Sequence, residues 1–595
     1  MPRPRKRRTH QRPNTSDLDL RRRSTLLVAA VYVAIAVVAY WDVWTMGPGQ
    51  YATGVGGDIG QSMWFLTWVP FALLHGHNPF FSSYANYPHG VNLLMNTSAI
   101  GVGLLVAPVT LLFGPVVSFN LAMTAAMALS AFAAFVLARR FTNWVPAAFA
   151  AGLLYGFSPY MDAEGLAHTM ALFVPLPPLI LLVVHDIVVR QRGRPIVLGT
   201  VLGVLVAAQF LISVEVLADL FVLTVLAVAI GAVMGRREVL AHLHFAGLGF
   251  GAAVVCCVVL LAYPTWIFLA GPGHIVGSIH LDNQIYSANL LGPVVPNFLQ
   301  RFAPASLFAT SANFGGNVSE NGSYLGVPLI VVVVAGVIWL RRFAFVRLAG
   351  ILCALAFVLS LGAQLRVANH VIAIPLPETL LRRLPLVENA IPVRFSLFVV
   401  LFASVVLAAV LDRLHAGLRA RRHGVLASVL PAVLAVVVFV PLVPIWPYGV
   451  TSTAVPSFFS SSAVGTIPNG GVVLTYPYPD AAQGDPEYWQ ATTFMHFKIV
   501  GGRFKVAQPG RGTAVASVPS EADTVLSALL AGTPLAPSPS LKHRVDAELQ
   551  QWQVHFVVAV PPASNERVAI PYLTWLLGGR PTRVAGAWVW YRWDE

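Results

Sequence analysis

The stretch YATGVGGDIGQSMWFLTW, Tyr51 to Trp68, follows closely on the first long apolar run, STLLVAAVYVAIAVVAYWDVW (24–44). About 20 apolar residues in a row suit the thickness of a bilayer better than a soluble core. Beyond that run come three glycines, one carboxylate, Asp58, and then an apolar segment carrying Met63, Trp64, Phe65, Trp68 and Phe71. Asp58 and Gln61 fit a D-x-x-Q capping box, in which Asp58 caps a helix and Gln61 reaches back to it. The helix it starts has the composition of one lying in a membrane interface. A carboxylate held at a helix start beside a bilayer is also well placed for chemistry, and the rest of the chain decides whether that bilayer surface exists.

It does. Of the 595 residues, 56% are hydrophobic and 11% charged, and the mean hydropathy is +0.71. Soluble domains carry about 25% charged residues. Repeated runs of this kind make the chain an all-α polytopic membrane protein. The net charge of +13 does not point to nucleic acid, because the basic residues sit in a tail (1–23) and in short loops between apolar runs. Those loops hold Arg139-Arg140, RQRGR (190–194), GRRE (235–238), RRFAFVR (341–347) and DRLHAGLRARRH (412–423). That is the positive-inside pattern, to which anionic lipid adds. The tail has no small-residue cleavage site after a short apolar core, so the first run reads as an anchor. Cys256, Cys257 and Cys353 all lie in apolar runs, which indicates neither disulfides nor a metal knuckle.

With the tail cytoplasmic, about eleven spans place every Arg-rich loop inside: 24–44, 117–138, 144–158, 168–189, 195–213, 215–234, 241–269, 324–340, 346–362, 393–411 and 424–445. The apolar, Pro- and Gly-interrupted segment 98–114 reads as re-entrant or interfacial, since a further span there would put the basic loops outside. The expected organisation is a basic cytoplasmic tail (1–23), a transmembrane region (24–449) with long external loops 46–115 and 270–323, and an extracytoplasmic α/β domain (450–595). In that last part, GGVVLTYPYP, WQVHFVVAVPP and GAWVWYRW read as strands and EADTVLSALLAG as a helix.

Polar residues gather on the external side. GFSPYMDAEGLAHTMAL (156–172) brings Asp162, Glu164 and His168 to the mouth between two spans. AAQFLISVEVLADLFVL (207–223) places Gln209, Glu215 and Asp219 at a helix turn, with Glu215 and Asp219 four apart on one face. A carboxylate at membrane depth is costly unless it faces a polar cavity. His185 and Asp186 reach the opposite, cytoplasmic interface. NHVIAIPLPETLLRRLPLVENAIPVRFS (369–396) sets Arg382, Arg383 and Arg394 on the external side, against the positive-inside bias. A guanidinium there suits a lipid phosphate by bidentate hydrogen bonding, or an ion pair with Glu378 or Glu388. No GxxxxGK[ST], HExxH, GxSxG or CxxC pattern occurs in a fitting context.

Together, GGDIGQ around Asp58, YPHGVNL, FSPY through His168, LPLVENAIPVRFS and the external C-terminal region resemble the GT-C superfamily of integral-membrane glycosyltransferases. The resemblance covers about residues 24–411. Within it the chain looks similar to uncharacterised bacterial cell-envelope members, with YfhO-like proteins as relatives. It implies transfer of a sugar from a polyprenyl-phosphate donor to a glycan, lipid or protein acceptor outside the plasma (inner) membrane, by inverting direct displacement. Asp58 is then the candidate base; Arg394, with Arg382 or His168, meets the donor phosphate; Glu215, Gln61, Asp162 and Glu164 are candidate substrate contacts. No cofactor is required, although a divalent cation, Mg or Mn, is compatible, on Asp58 without a carboxylate neighbour because Gly57 precedes it. The competing readings are a lipid or sugar transporter or flippase, in which Glu215 and Asp219 serve a proton-coupled cycle, and a non-catalytic scaffold of the same fold.

Overall fold

The computed structural model describes residues 15–591, apart from 57, 167, 235, 278, 280–282, 384–388, 481–482 and 516–517. Gly57, Glu388 and residues 1–14 of the basic tail therefore lie outside the described residues. Every apolar run read as a span is helical. Seven helical stretches are long and apolar enough to cross a bilayer: Arg22–Ala39, Ile100–Ala138, Thr169–Arg190, Pro195–Ile212, Val214–Met234, Leu243–Ala270 and Pro392–Ala420. Val327–Trp339, Ala344–Ser360 and Leu426–Leu442 are apolar but shorter. The run at 144–158 forms a helix of only 12 residues, Val145–Gly156. That is about 18 Å at 1.5 Å per residue, too short to span alone. It packs between Ile100–Ala138 and Ser396–Ala420. The latter helix is buried on all sides from Ser396 to Asp412 and forms the centre of the bundle.

One expectation for the first long loop is corrected. The helix Asp58–Leu74, here α1, does not lie in an interface. Met63, Trp64, Leu66 and Trp68 are at most 1% exposed, because α1 packs between Ile100–Ala138, here α2, and the short helix Asp485–Thr492, here α3. Its aromatic residues are core: the Trp64 and Trp68 rings stack with centroids 5.5 Å apart, and Phe504 meets Trp64 edge-on at 5.1 Å. The segment 98–114 contains a helix of its own: Ile100–Ala138 is two helices that meet at a kink at Gly114, whose φ of 83° and ψ of 176° are not helical and which precedes Pro115.

The C-terminal region contains a five-stranded sheet. We number strands β1 Val472–Tyr476, β2 Lys498–Ile499, β3 Phe556–Ala559, β4 Thr582–Val584 and β5 Ala587–Tyr591, in spatial order β4-β5-β3-β1-β2. β1 runs parallel to β3 and β2, while β5 is antiparallel to β3 and β4. Side chains alternate between faces. Leu474, Val557 and Trp590 face helices Glu521–Leu530, Pro539–Gln551 and Glu566–Leu577. Val473, Val558 and Val589 belong to the same buried apolar cluster as the membrane-region helices. The sheet is therefore pressed onto the bundle, next to α1. The strand Tyr51–Thr53, just before the Asp58 turn, pairs with Val450–Ser452 and ties the two regions together.

Candidate functional site

Two loops bring the first polar groups together. Gly54 has φ +93°, and a Cβ there would stand 1.8 Å from the carbonyl oxygen of Leu166, so only glycine lets the chain pass. Val55 N–H donates to that same oxygen at 3.0 Å. The turn leading to Asp58 is thus fastened to the turn leading to His168. In FSPY, Ser158 caps a short helix, Pro159–Glu164, by accepting from Met161 N–H, and Pro159 occupies its first turn. This sets Glu164 and His168 four apart with the Glu164 carboxylate 2.7 Å from His168 Nδ1. His168 Nε2 faces Asp58 Oδ2 at 3.6 Å.

The D-x-x-Q pattern does not operate as a capping box. The Asp58 carboxylate instead takes Nε and Nη2 of Arg503, at 3.0 and 2.8 Å, from the segment after β2. Gln61 donates its amide to the Arg503 carbonyl rather than reaching back. Two N–H donors from a full positive charge outcompete a single cap bond to a backbone N–H. The same segment is held by Asn96, whose amide accepts from Lys505 N–H at 2.7 Å and donates to the Lys505 carbonyl at 2.8 Å. Arg503 N–H donates to the buried carboxylate of Glu487. α1 and α3 approach closely enough that a Cβ on Gly60 would lie 2.6 Å from the Gly484 carbonyl oxygen.

Beneath Asp58 lies a buried charge cluster. Arg394 donates from Nη1 to Glu215 and from Nη2 to Glu320 at 3.0 Å, and its Nε is 4.0 Å from Glu164. Glu215 also accepts from Ile391 N–H at 2.6 Å. His168 Nδ1 is 3.9 Å from Glu320 Oε1, which links the two layers. Burial would raise the Asp58 pKa, but His168 and the Arg503 charge outweigh it and hold the carboxyl well below the usual range. His168, just ahead of the span that begins at Thr169, goes the other way. Burial lowers its pKa, but Asp58, Glu164 and Glu320 overcome this and push it up to about 10. Counting His168 as charged, four carboxylates (Asp58, Glu164, Glu215, Glu320) face three cations (His168, Arg394, Arg503).

A cavity of about 230 Å³ opens over this cluster. Its polar wall is Asp58, Gln61, Asn96, Glu215, Arg503 and Lys505, and its apolar wall includes Leu94, Met95, Val214, Phe268 and Ile279. The Lys505 ammonium makes no hydrogen bond or ion pair with the described residues, and burial followed by the Arg503 charge lowers its pKa. A smaller cavity of about 90 Å³ reaches His168 from Asp58.

Of the residues singled out from sequence, Asp58, Gln61, Glu164, His168, Glu215 and Arg394 converge here. Arg394 does not line the cavity; it is 4% exposed and hydrogen-bonded to carboxylates. Arg382 is exposed at the end of a short helix, Glu378–Leu381, and is not brought to the site. Asp162 points away from it to accept from the Tyr448 hydroxyl. Asp219 shares the buried face of Glu215, and neither of its oxygens has a hydrogen-bond partner. Glu320, Arg503 and Lys505 are absent from the sequence reading. Glu320 sits in an unremarkable polar loop, and the signal for the other two was a pair of cations two apart in GGRFKV.

The metal expectation centred on Asp58 also shifts. Glu164, His168 and Glu320 offer donor atoms that all lie within 4.8 Å of one another, and Asp58 joins them only through His168. Among the described residues Glu320 Oε2 is buried without a partner, so once His168 gives up its extra proton the donor set fits a divalent cation.

No protein-family model and no curated protein matches the sequence. Solved structures do. The arabinofuranosyltransferase AftD from mycobacteria superposes with a TM-score of 0.51 at 14% identity, over 90% of this chain and 35% of its own length. The Archaeoglobus fulgidus oligosaccharyltransferase gives 0.47 at 13% identity, over 90% of this chain and 69% of that one. ArnT from Cupriavidus metallidurans, in a structure with bound undecaprenyl phosphate, gives 0.45 at 12%, over 94% and 97%. What this chain shares with AftD is the fold, over little more than a third of the larger protein.

Proposed function

From the premise that this multi-pass membrane chain has the GT-C glycosyltransferase fold, we propose that it transfers a sugar from a polyprenyl-phosphate donor to a cell-envelope glycan, lipid or protein. In this reading the site faces the outside of the plasma membrane, with the N-terminus cytoplasmic and residues 450–595 an extracytoplasmic domain. One observation carries it: a cavity that sets an ionised carboxylate, Asp58, beside two cations, Arg503 and Lys505, against an apolar wall. A lipid-linked sugar phosphate has that sequence of chemistries, with an apolar tail, an anionic phosphate and a neutral sugar.

The reaction balances without a covalent intermediate. The acceptor oxygen bonds to the anomeric carbon as the bond from that carbon to the phosphate oxygen breaks, and polyprenyl phosphate leaves with the electron pair. Asp58 takes the acceptor's hydroxyl proton. Arg503 and Lys505 stabilise the negative charge gathering on the phosphate. Arg503 already holds Asp58, so an arriving phosphate competes for its guanidinium and frees the carboxylate to act as base. His168 keeps Asp58 ionised, and Arg394, Glu215 and Glu320 fix the floor beneath. With His168 deprotonated, Glu164, His168 and Glu320 would instead hold a divalent cation, Mg or Mn, which would take over the imidazolium's positive charge beside Asp58.

The test is release of polyprenyl phosphate by the purified chain in nanodiscs, offered a panel of polyprenyl-phosphate sugars. Asp58→Asn keeps the shape and removes the base, so turnover falls by about 10²–10⁴-fold. Wild-type turnover by Asp58→Asn would overturn the assignment, and a panel that is bound but never turned over favours the scaffold reading.

A further inference from the structure

A second, larger cavity of about 830 Å³ lies at the other end of the bundle, where α2 ends near Arg139, Thr169–Arg190 ends, and the chain turns between Val327–Trp339 and Ala344–Ser360. The mechanism uses none of it. Four guanidinium groups line it, Arg139, Arg140, Arg190 and Arg342, and no carboxylate does. The nearby acid, Asp186, is already taken: Arg140 donates Nη1 and Nη2 to it at 2.7 and 3.0 Å, and Arg190 lies 3.8 Å away. Arg140, Arg190 and Arg342 outnumber Asp186, so the cavity keeps positive charge.

Two of these arginines are also held in place. Asp186 grips Arg140 in a fork that leaves other N–H donors for a ligand. Arg139 donates Nη1 to the carbonyls of Thr142 and Asn143, at 2.9 and 2.8 Å. Arg342 is exposed and makes no hydrogen bond or ion pair with the described residues. The wall between them is aromatic, with Phe141 and Phe345 stacked 4.8 Å apart and Arg413 lying 4.4 Å over the Phe343 ring. The remaining wall, Val136, Leu182 and Val189, runs onto the apolar outside of the bundle, where Val189 is 58% exposed.

We propose that this cavity binds the headgroup of an anionic glycerophospholipid, its phosphate on Arg140, Arg190 and Arg342 and its acyl chains along the apolar helix surface. Loose loop charges obeying the positive-inside rule need neither a cavity nor fixed guanidiniums, and they discriminate little between lipids. The apolar wall continuous with the bilayer argues for a lipid over free phosphate.

The experiment titrates the detergent-purified full chain with fluorescent phosphatidylglycerol, and separately with phosphatidylcholine of the same chains. Phosphatidylglycerol binds more tightly, and an Arg190→Gln/Arg342→Gln variant binds it about tenfold more weakly while its phosphatidylcholine affinity is unchanged. An Arg342→Lys variant, which keeps the charge, retains most of the preference, and both variants unfold at the wild-type temperature. Equal affinity for the two lipids, or an unchanged double variant, overturns the proposal. So does displacement of the probe by millimolar inorganic phosphate, which would make the cavity a site for the free anion.

Discussion

Replacing Arg394 tests whether it holds the site together or meets the substrate. Its guanidinium is 4% exposed and neutralises Glu215 and Glu320, whose side chains are 7% and 4% exposed, with Glu164 at 4.0 Å. Arg394→Met fills much of the same volume but leaves three carboxylates facing one another away from water. Removing one partner of a buried ion pair costs about 3–5 kcal/mol, because the group left behind is uncompensated. Two direct pairs share this arginine, so the loss should lie in that range even after the carboxyls take up protons. Arg394→Lys keeps the charge but cannot fork to Glu215 and Glu320 together, so it recovers only part of the loss. The triple variant Arg394→Met/Glu215→Gln/Glu320→Gln removes the stranded charges with the arginine. It should cost less than Arg394→Met alone, a coupling of about 0.5–3 kcal/mol. Reversible unfolding in mixed SDS and dodecylmaltoside micelles, followed by tryptophan fluorescence, measures all three. Arg394→Met within about 1 kcal/mol of wild type would refute the reasoning, as would an Arg394→Lys chain of full stability that has lost only donor binding.

The other predictions concern the contact between the C-terminal region and α1. Arg503→Gln removes the grip on Asp58 and one phosphate cation, so it should weaken donor binding and slow transfer, and Lys505→Gln should raise the donor KM and lower kcat together. An unchanged kcat in the lysine variant would argue against its stabilising the leaving phosphate. Gly60→Val drives a side chain into the Gly484 carbonyl, separating α3 from α1; transfer should fall with the membrane helices intact, as read by circular dichroism. Glu487 tests pH dependence: burial, against the bonds from Arg503, raises its carboxyl to about 7 from 4.5. The folded protein binds this proton more tightly than the unfolded chain. The contribution of this group to stability is therefore greatest below pH 4.5 and falls by about 3 kcal/mol as pH rises to 7. Glu487→Gln should flatten that decline, and identical pH slopes for variant and wild type would exclude Glu487 as its source.

Much of the site was visible in the chain. Asp58, Glu164, His168, Glu215 and Arg394 drew attention because each places charge or imidazole beside apolar sequence, which is costly without a polar cavity. Their roles were less visible. Arg394 read as a phosphate cation because nothing local showed that three carboxylates surround it, and Arg382 read the same way though it is exposed. Asp58 and Gln61 matched a capping box whose local bond was worth less than a guanidinium arriving from residue 503.

Composition and apolar run length alone made this a many-helix membrane chain, because burying that much hydrocarbon without a bilayer has no folded solution. Local sequence was enough to bring Glu164 and His168 to one mouth, while the Ser158 cap and the Glu164–His168 bond emerged in the structure. What only the tertiary structure decided are contacts across long stretches of chain. Arg503 reaches Asp58 over 445 residues, and Glu320 reaches Arg394 over 74. Such contacts depend on how helices and sheet pack, and a charge in sequence carries no mark of the partner that packing will bring to it.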